Sequence, residues 1–108
     1  MGRIIMPIVF DRGNAFLNGF VYELMAVQPD DRVFEIGCGT GKLIKLMAKN
    51  IETGCIEGID FSPVMVNIAQ SRNKRHIARG TVNIVEGNFD EHTTQNAFFT
   101  KACSVNTL

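Results

Sequence analysis

No charge of either sign dominates this chain: 11 acidic residues face 11 lysines and arginines, for a net charge of zero. That balance gives no overall field for capturing nucleic acid or an anionic membrane, so partners have to be argued from a site. Cysteine is scarce as well. Cys38, Cys55 and Cys103 are odd in number, far apart and without a CxxC pair, which speaks against a disulfide frame or a zinc site and fits a reducing cytoplasm. A long hydrophobic run is missing. The opening MGRIIMPIVFD is cut by Pro7 and ended by Asp11, too short for a signal peptide or a membrane span, and Met6 stands where myristoylation needs a hydroxyl. At 108 residues there is length for one domain only.

What the chain does have is concentrated in Val33–Lys42, VFEIGCGTGK. Val, Phe and Ile, interrupted only by Glu35, read as a strand buried on both faces, as in a parallel sheet. Three alternating glycines then mark a tight turn, and Leu43, Ile44, Leu46 and Met47 follow at helical spacing up to Asn50. Strand, glycine turn and helix in this order build a nucleotide-cofactor site. The loop reaches φ values that a side chain forbids, the ligand lies on the backbone, and the helix N-terminus adds unpaired N–H groups.

Spacing selects among cofactors. A dinucleotide fingerprint GxGxxG begun at Gly37 needs glycine where the chain has Lys42, and begun at Gly39 it meets Ile44. A P-loop ending on Gly41-Lys42 needs glycine at Ile36 and a hydroxyl at Leu43. NAD, ATP and GTP are therefore disfavoured. The residues spell E-x-G-x-G-x-G, Glu35, Gly37, Gly39 and Gly41 around Cys38, which resembles motif I of the class I S-adenosylmethionine-dependent methyltransferases.

Around this motif, residues 14–27 carry Phe16, Phe20 and Leu24 beside Leu17, Val21 and Met25, two i, i+4 rows that predict a core-packing helix stopped by Gln28-Pro29-Asp30-Asp31. Cys55–Asp60 reads as a second buried strand ending in an acid, 19 positions after Gly41. A carboxylate there suits the two hydroxyls of a ribose, and the family resemblance assigns that role in a context that GIDFS reproduces. Phe61 then lies against the adenine face. Ser62 and Pro63 cap a helix expected over 63–73, burying Val64, Met65, Ile68 and Ala69. Its continuation holds Arg72, Lys74, Arg75, His76 and Arg79, read as a solvated face suited to the helix C-terminal dipole. Thr81–Glu86 is a third strand by β-branched content and alternation.

In the resembling family the third strand is followed by an acid that bonds the adenine amino group. Asn88 takes that place here, with Phe89 beside it, and Asp90 is a substitute within a small loop shift. A helical turn is expected around Gln95–Phe99, then a fourth strand over Lys101–Leu108, with Asn106 where some family members place a polar residue toward the substrate.

The resemblance implies an α/β, Rossmann-like parallel sheet with flanking helices and order 3-2-1-4, reaching only the fourth of the family's seven strands. Residues 1–31 are the N-terminal segment and packing helix, and 32–108 the cofactor-binding core. It implies in-line methyl transfer from S-adenosyl-L-methionine to a small-molecule acceptor, with no metal, no nucleic acid and no membrane. Glu35 and the glycines lie at the methionine end, Asp60 on the ribose, and Phe61, Asn88 and Phe89 around the adenine. Such a reaction needs no protein nucleophile, so the lack of a Ser/His/Asp constellation does not count against an enzyme. His92 and Asp90 are the candidates should a base be needed. The alternative is a module that binds the cofactor without catalysis. An open fourth strand guarded only by Lys101, and a sheet face without helices, also lead to an expectation of self-association.

Overall fold

The computed structural model of the chain describes residues 15–88 and 98–104. Their order is α1 (Ala15–Met25), β1 (Arg32–Ile36), α2 (Lys42–Ala48), β2 (Cys55–Asp60), α3 (Pro63–Arg72), α4 (Lys74–Ala78), β3 (Val82–Glu86) and β4 (Lys101–Ser104). The strands form one parallel sheet in the expected order β3-β2-β1-β4. The expectations for Phe89, Asp90, His92, Asn106 and most of the turn near Gln95 lie outside the described residues.

All four helices contribute to one core on one face of the sheet. Val21 and Met25 of α1, Leu43, Ile44 and Met47 of α2, and Val66 and Ala69 of α3 close over Val33, Ile56, Val82, Ile84 and Cys103, with Ile77 of α4 packed at its margin. Alternation along the strands sends Phe34, Ile59 and Ala102 to the opposite face. That face, expected to be bare, is covered in part, with Ile36 and Val85 only partly buried. Phe99 stacks on Phe34 with ring centroids 5.1 Å apart, and Phe98 meets Phe99 edge-on at 4.9 Å.

The helices depart from their predicted faces. In α1 Val21 and Met25 are buried while Phe20 and Leu24 are about half exposed, because the helix packs along α2. It also stops before the proline: Ala26 adopts φ 45°, which ends the helix three residues ahead of Pro29. In α3 the expected stripe is rotated. Val64 is 61% exposed and Ile68 is exposed too, whereas Val66, Ala69 and the following Asn73 are buried. Asn73 (φ −107°, ψ 22°) also separates α3 from α4, where the sequence predicts one continuous helix. The small side chain at Ala69 faces the glycine turn, and that contact sets the rotation.

At the amino-terminal edge of the sheet Asp31 ties the α1–β1 connection to the start of β4. Its carboxylate accepts from the Gln28 amide at 2.7 Å and the Thr100 hydroxyl at 2.8 Å, and pairs with the Lys101 ammonium at 2.9 Å. Lys101 also donates to the Ala26 carbonyl. The lysine expected to guard an open edge is instead occupied within the fold.

Candidate functional site

In an open parallel sheet ligands bind at the carboxyl ends of the strands, where the strand order reverses. The order β3-β2-β1-β4 reverses at β1. The glycine turn leaves that strand, and Asp60, Phe61, Gly87 and Asn88 stand at the same edge, on the ends of β2 and β3.

The turn is built from its own amides. Gly37 and Cys38 N–H both donate to the Ile59 carbonyl, at 2.8 and 3.1 Å, and Gly41 N–H donates to the Cys38 carbonyl at 3.0 Å. Gly39 takes φ 56° and Gly41 φ 80°, left-handed conformations that side chains disfavour. At Gly41 space is also missing: a Cβ there would lie 2.7 Å from Asn73 Nδ2 and 2.9 Å from Ala69 Cβ.

Asp60 is tied into this frame. Its Oδ2 accepts from Gly39 N–H at 2.9 Å and its Oδ1 from Ser62 N–H at 2.9 Å, while its own carbonyl accepts from Gly87 N–H. The residue is 3% exposed. One carboxylate thus holds the glycine turn, the start of α3 and, through the backbone, the turn after β3. Ser62 and Pro63 do form the predicted cap and first turn, with Ser62 Oγ accepting from Met65 N–H.

Other predicted residues divide into two groups. Phe61 projects at the edge, 74% exposed, and Asn88 beside it is exposed. Glu35, by contrast, is 1% exposed, on the helix-covered face of the sheet, and Cys38 is buried against Gly58. The Glu35 carboxylate lies in register with Cys103, whose thiol is pushed well above its ordinary range by burial and by that negative charge. The motif's acid and cysteine are therefore inside the frame of the site and not on its open surface.

Sequence reasoning missed the support beneath the turn. Arg72 Nη1 donates to the Thr40 carbonyl at 2.9 Å, and Asn73 Nδ2 donates to the Gly41 carbonyl at 3.1 Å and to that of Ala69 at 3.0 Å. Arg72 and Asn73 stand 32 positions after the turn carbonyls they hold, those of Thr40 and Gly41, and no local pattern marks such a pair. Ser104 was missed too. It is buried at the end of β4, opposite Ile36, and its hydroxyl has no hydrogen-bond partner among the described residues. An orphaned hydroxyl costs about 1–3 kcal/mol unless something bonds it. Together with an exposed aromatic ring and glycines in left-handed conformations, it makes the edge suited to a ligand with polar and aromatic parts. Among the described residues no group of three or more His, Cys, Asp or Glu could hold a metal ion, and no helix is long and apolar enough to cross a membrane.

A family model described as a methyltransferase domain matches residues 33–108. A protein-lysine N-methyltransferase of Saccharolobus islandicus is 30% identical over 69 residues, covering 64% of this chain and 43% of the relative. A carboxy-S-adenosyl-L-methionine synthase of Salmonella arizonae is 36% identical over 77 residues, covering 66% of this chain and 30% of the relative. An RNA methyltransferase of Salinibacter ruber, solved with S-adenosyl-L-homocysteine, superposes with a TM-score of 0.69 at 20% identity, covering 84% of this chain and 57% of that one. The chain thus spans less than half the length of these curated relatives.

Proposed function

We propose that this chain, which belongs to the methyltransferase-domain family, is the cofactor-binding half of an S-adenosylmethionine-dependent methyltransferase. One observation carries the reading: a glycine turn, an acid bonded to that turn, an exposed aromatic ring and an exposed amide meet at the carboxyl edge of a parallel sheet where its strand order reverses. The failed dinucleotide and P-loop spacings remove the other common ligands of that edge.

In this reading the backbone of Gly37, Gly39 and Gly41 lies along the methionine part, and Cys38 and Glu35 support that backbone from the core. Asp60 holds the ribose hydroxyls with its carboxylate, whose two oxygens offer about four acceptor sites. Phe61 covers one adenine face, and Asn88, with Phe89, meets its edge. Ser104 supplies a hydroxyl at the end of β4, and Asn106 follows on the substrate side. S-adenosylmethionine supplies a methyl carbon made electrophilic by its sulfonium, so the protein's share is chiefly orientation and exclusion of water. No side chain has to form a bond to the methyl group.

The acceptor has a narrower form, a small molecule, which the family resemblance suggests. The relative named for protein lysine favours a macromolecular acceptor instead. A second reading is a module that binds the cofactor without catalysis. Two experiments test these. Calorimetry should show saturable binding of S-adenosylhomocysteine and none of NAD; the reverse would sink the proposal. Turnover of methyl-labelled S-adenosylmethionine against small-molecule and protein acceptors then separates transfer from binding alone.

A further inference from the structure

Behind the glycine turn, between α2 and the α3–α4 pair, the surface opens into a cleft of about 580 Å³ lined by Lys42, Lys45, Lys49, Arg72, Arg75 and His76. A second cleft shares Lys45, Arg72, Arg75 and His76 and adds Lys74 and Arg79, so the two form one continuous groove. Seven of the chain's 11 lysines and arginines line it, and none of its lining residues is acidic. None of the seven is ion-paired among the described residues. A chain with zero net charge has therefore gathered seven cations in one concave place without a carboxylate partner among the described residues, which costs self-repulsion unless an anion fills the groove. The helix end is solvated as expected, with Lys74, Arg75 and Arg79 exposed, and the fold adds to it the lysines of residues 42–49, which line the same groove.

We infer that this groove binds the phosphodiester backbone of a single-stranded nucleic acid. Charge and shape together select that occupant. Protein interfaces are poor in lysine and rich in aromatic residues, whereas four lysines line this groove and no aromatic residue besides His76. A bilayer surface cannot enter a cleft between helices, and the lining has Leu46 as its one large apolar side chain, where a basic membrane-binding face carries several beside its cations. A strand of phosphates fits between two cationic walls, and arginine and lysine are the side chains that bind phosphate. With no phenylalanine, tyrosine or tryptophan lining the groove for stacking, binding should be insensitive to base sequence. Arg72 belongs to the groove and also holds the Thr40 carbonyl, so a bound strand passes directly under the glycine turn. His76 sits within it, its imidazole held below the ordinary histidine pKa first by burial and then by Arg79, Lys45 and Arg75.

The test is fluorescence anisotropy of the full chain with labelled twelve-nucleotide oligouridine and oligothymidine, without cofactor, at several salt concentrations. Three to five phosphate contacts predict a slope of log affinity against log salt of about −2 to −3.5. Lys45→Glu and Arg75→Glu, both at exposed positions, should each weaken binding at least tenfold. Adding Asp30→Lys, in the α1–β1 connection, restores the net charge of Lys45→Glu and should not restore affinity. Tighter oligouridine than oligothymidine identifies RNA, and equal binding identifies the backbone alone; both support the inference. As a second readout, the titration midpoint of His76, followed by NMR, should rise on binding as phosphate offsets the surrounding cations. Absence of saturable binding at 50 mM salt overturns the inference. So does equal competition by polyglutamate at matched charge, or binding only to anionic vesicles. Because no step uses the cofactor, either proposal can fail without the other.

Discussion

Asp60 carries two demands, and substitution alone cannot separate them. Its carboxylate holds Gly39 N–H and Ser62 N–H, and the proposed role adds a ribose. An analogue can divide these effects. Wild-type protein should bind 2′-deoxy-S-adenosylhomocysteine more weakly than S-adenosylhomocysteine by about 1.5–3 kcal/mol, the scale of a hydrogen bond to a charged group. Asp60→Ala should lose a similar amount for the intact ligand and nothing further for the deoxy one. Calorimetric losses that add in full would restrict Asp60 to holding the turn. The two central glycines should answer differently as well. At Gly41 an added methyl meets Asn73 and Ala69, so Gly41→Ala should lower unfolding stability in urea by about 1–3 kcal/mol. Gly39→Val sets a branched side chain where the ligand is proposed to lie, and binding of S-adenosylhomocysteine should vanish while a cooperative urea transition remains.

Between elements, Asn73 is the joint of the site. It ends α3, starts α4, and holds the last carbonyl of the glycine turn from a fully buried position. Asn73→Ala should cost about 1–3 kcal/mol and weaken cofactor binding although the residue is not proposed to touch the ligand. Its removal also clears the nearest atom from the path of a methyl at position 41. The double variant with Gly41→Ala should therefore be less destabilised than the sum of the two, a non-additivity readable from denaturation midpoints. At the other edge of the sheet Asp31 predicts the acid limb of stability. Burial pushes its carboxyl up, but the Gln28 amide, Lys101 and Thr100 together outweigh burial and hold it below its ordinary value of 3.8. The unfolded chain then takes up the proton first, so this contribution is present above about pH 3.8 and is lost as pH falls through the lower folded value. Asp31→Asn should flatten the stability profile in that window and leave its shape near neutrality unchanged, as followed by urea unfolding across pH.

For the whole molecule, the proposed ligand is a stabiliser. A compound that binds only the folded chain raises its stability by about 2.7 kcal/mol at a hundred times its dissociation constant. S-adenosylhomocysteine should raise the melting temperature in a concentration-dependent way, and NAD should leave it unchanged. An equal shift by both would mean that the carboxyl edge does not discriminate between them.

Much of the fold was legible because it rests on local patterns. Apolar runs marked β1 and β2 as buried strands, alternate glycines required a left-handed turn, and Ser62-Pro63 started a helix, each within a few residues of chain. The strand order came with the family resemblance, and the acid's place at the end of β2 came from the same stretch of sequence. What the tertiary structure alone decided depends on residues far apart in sequence. The buried face of α3 was set by Ala69 and Asn73 fitting under Gly41, not by the helix's most hydrophobic stripe. Glu35 was drawn into the core, and Asp31 and Lys101 met across 70 residues to tie the sheet's edge. The cations of 42–49 and 72–79 look like two separate charged helix faces in sequence. They become one groove only because both helices pack on the same side of the sheet, and no local periodicity encodes how two such faces meet.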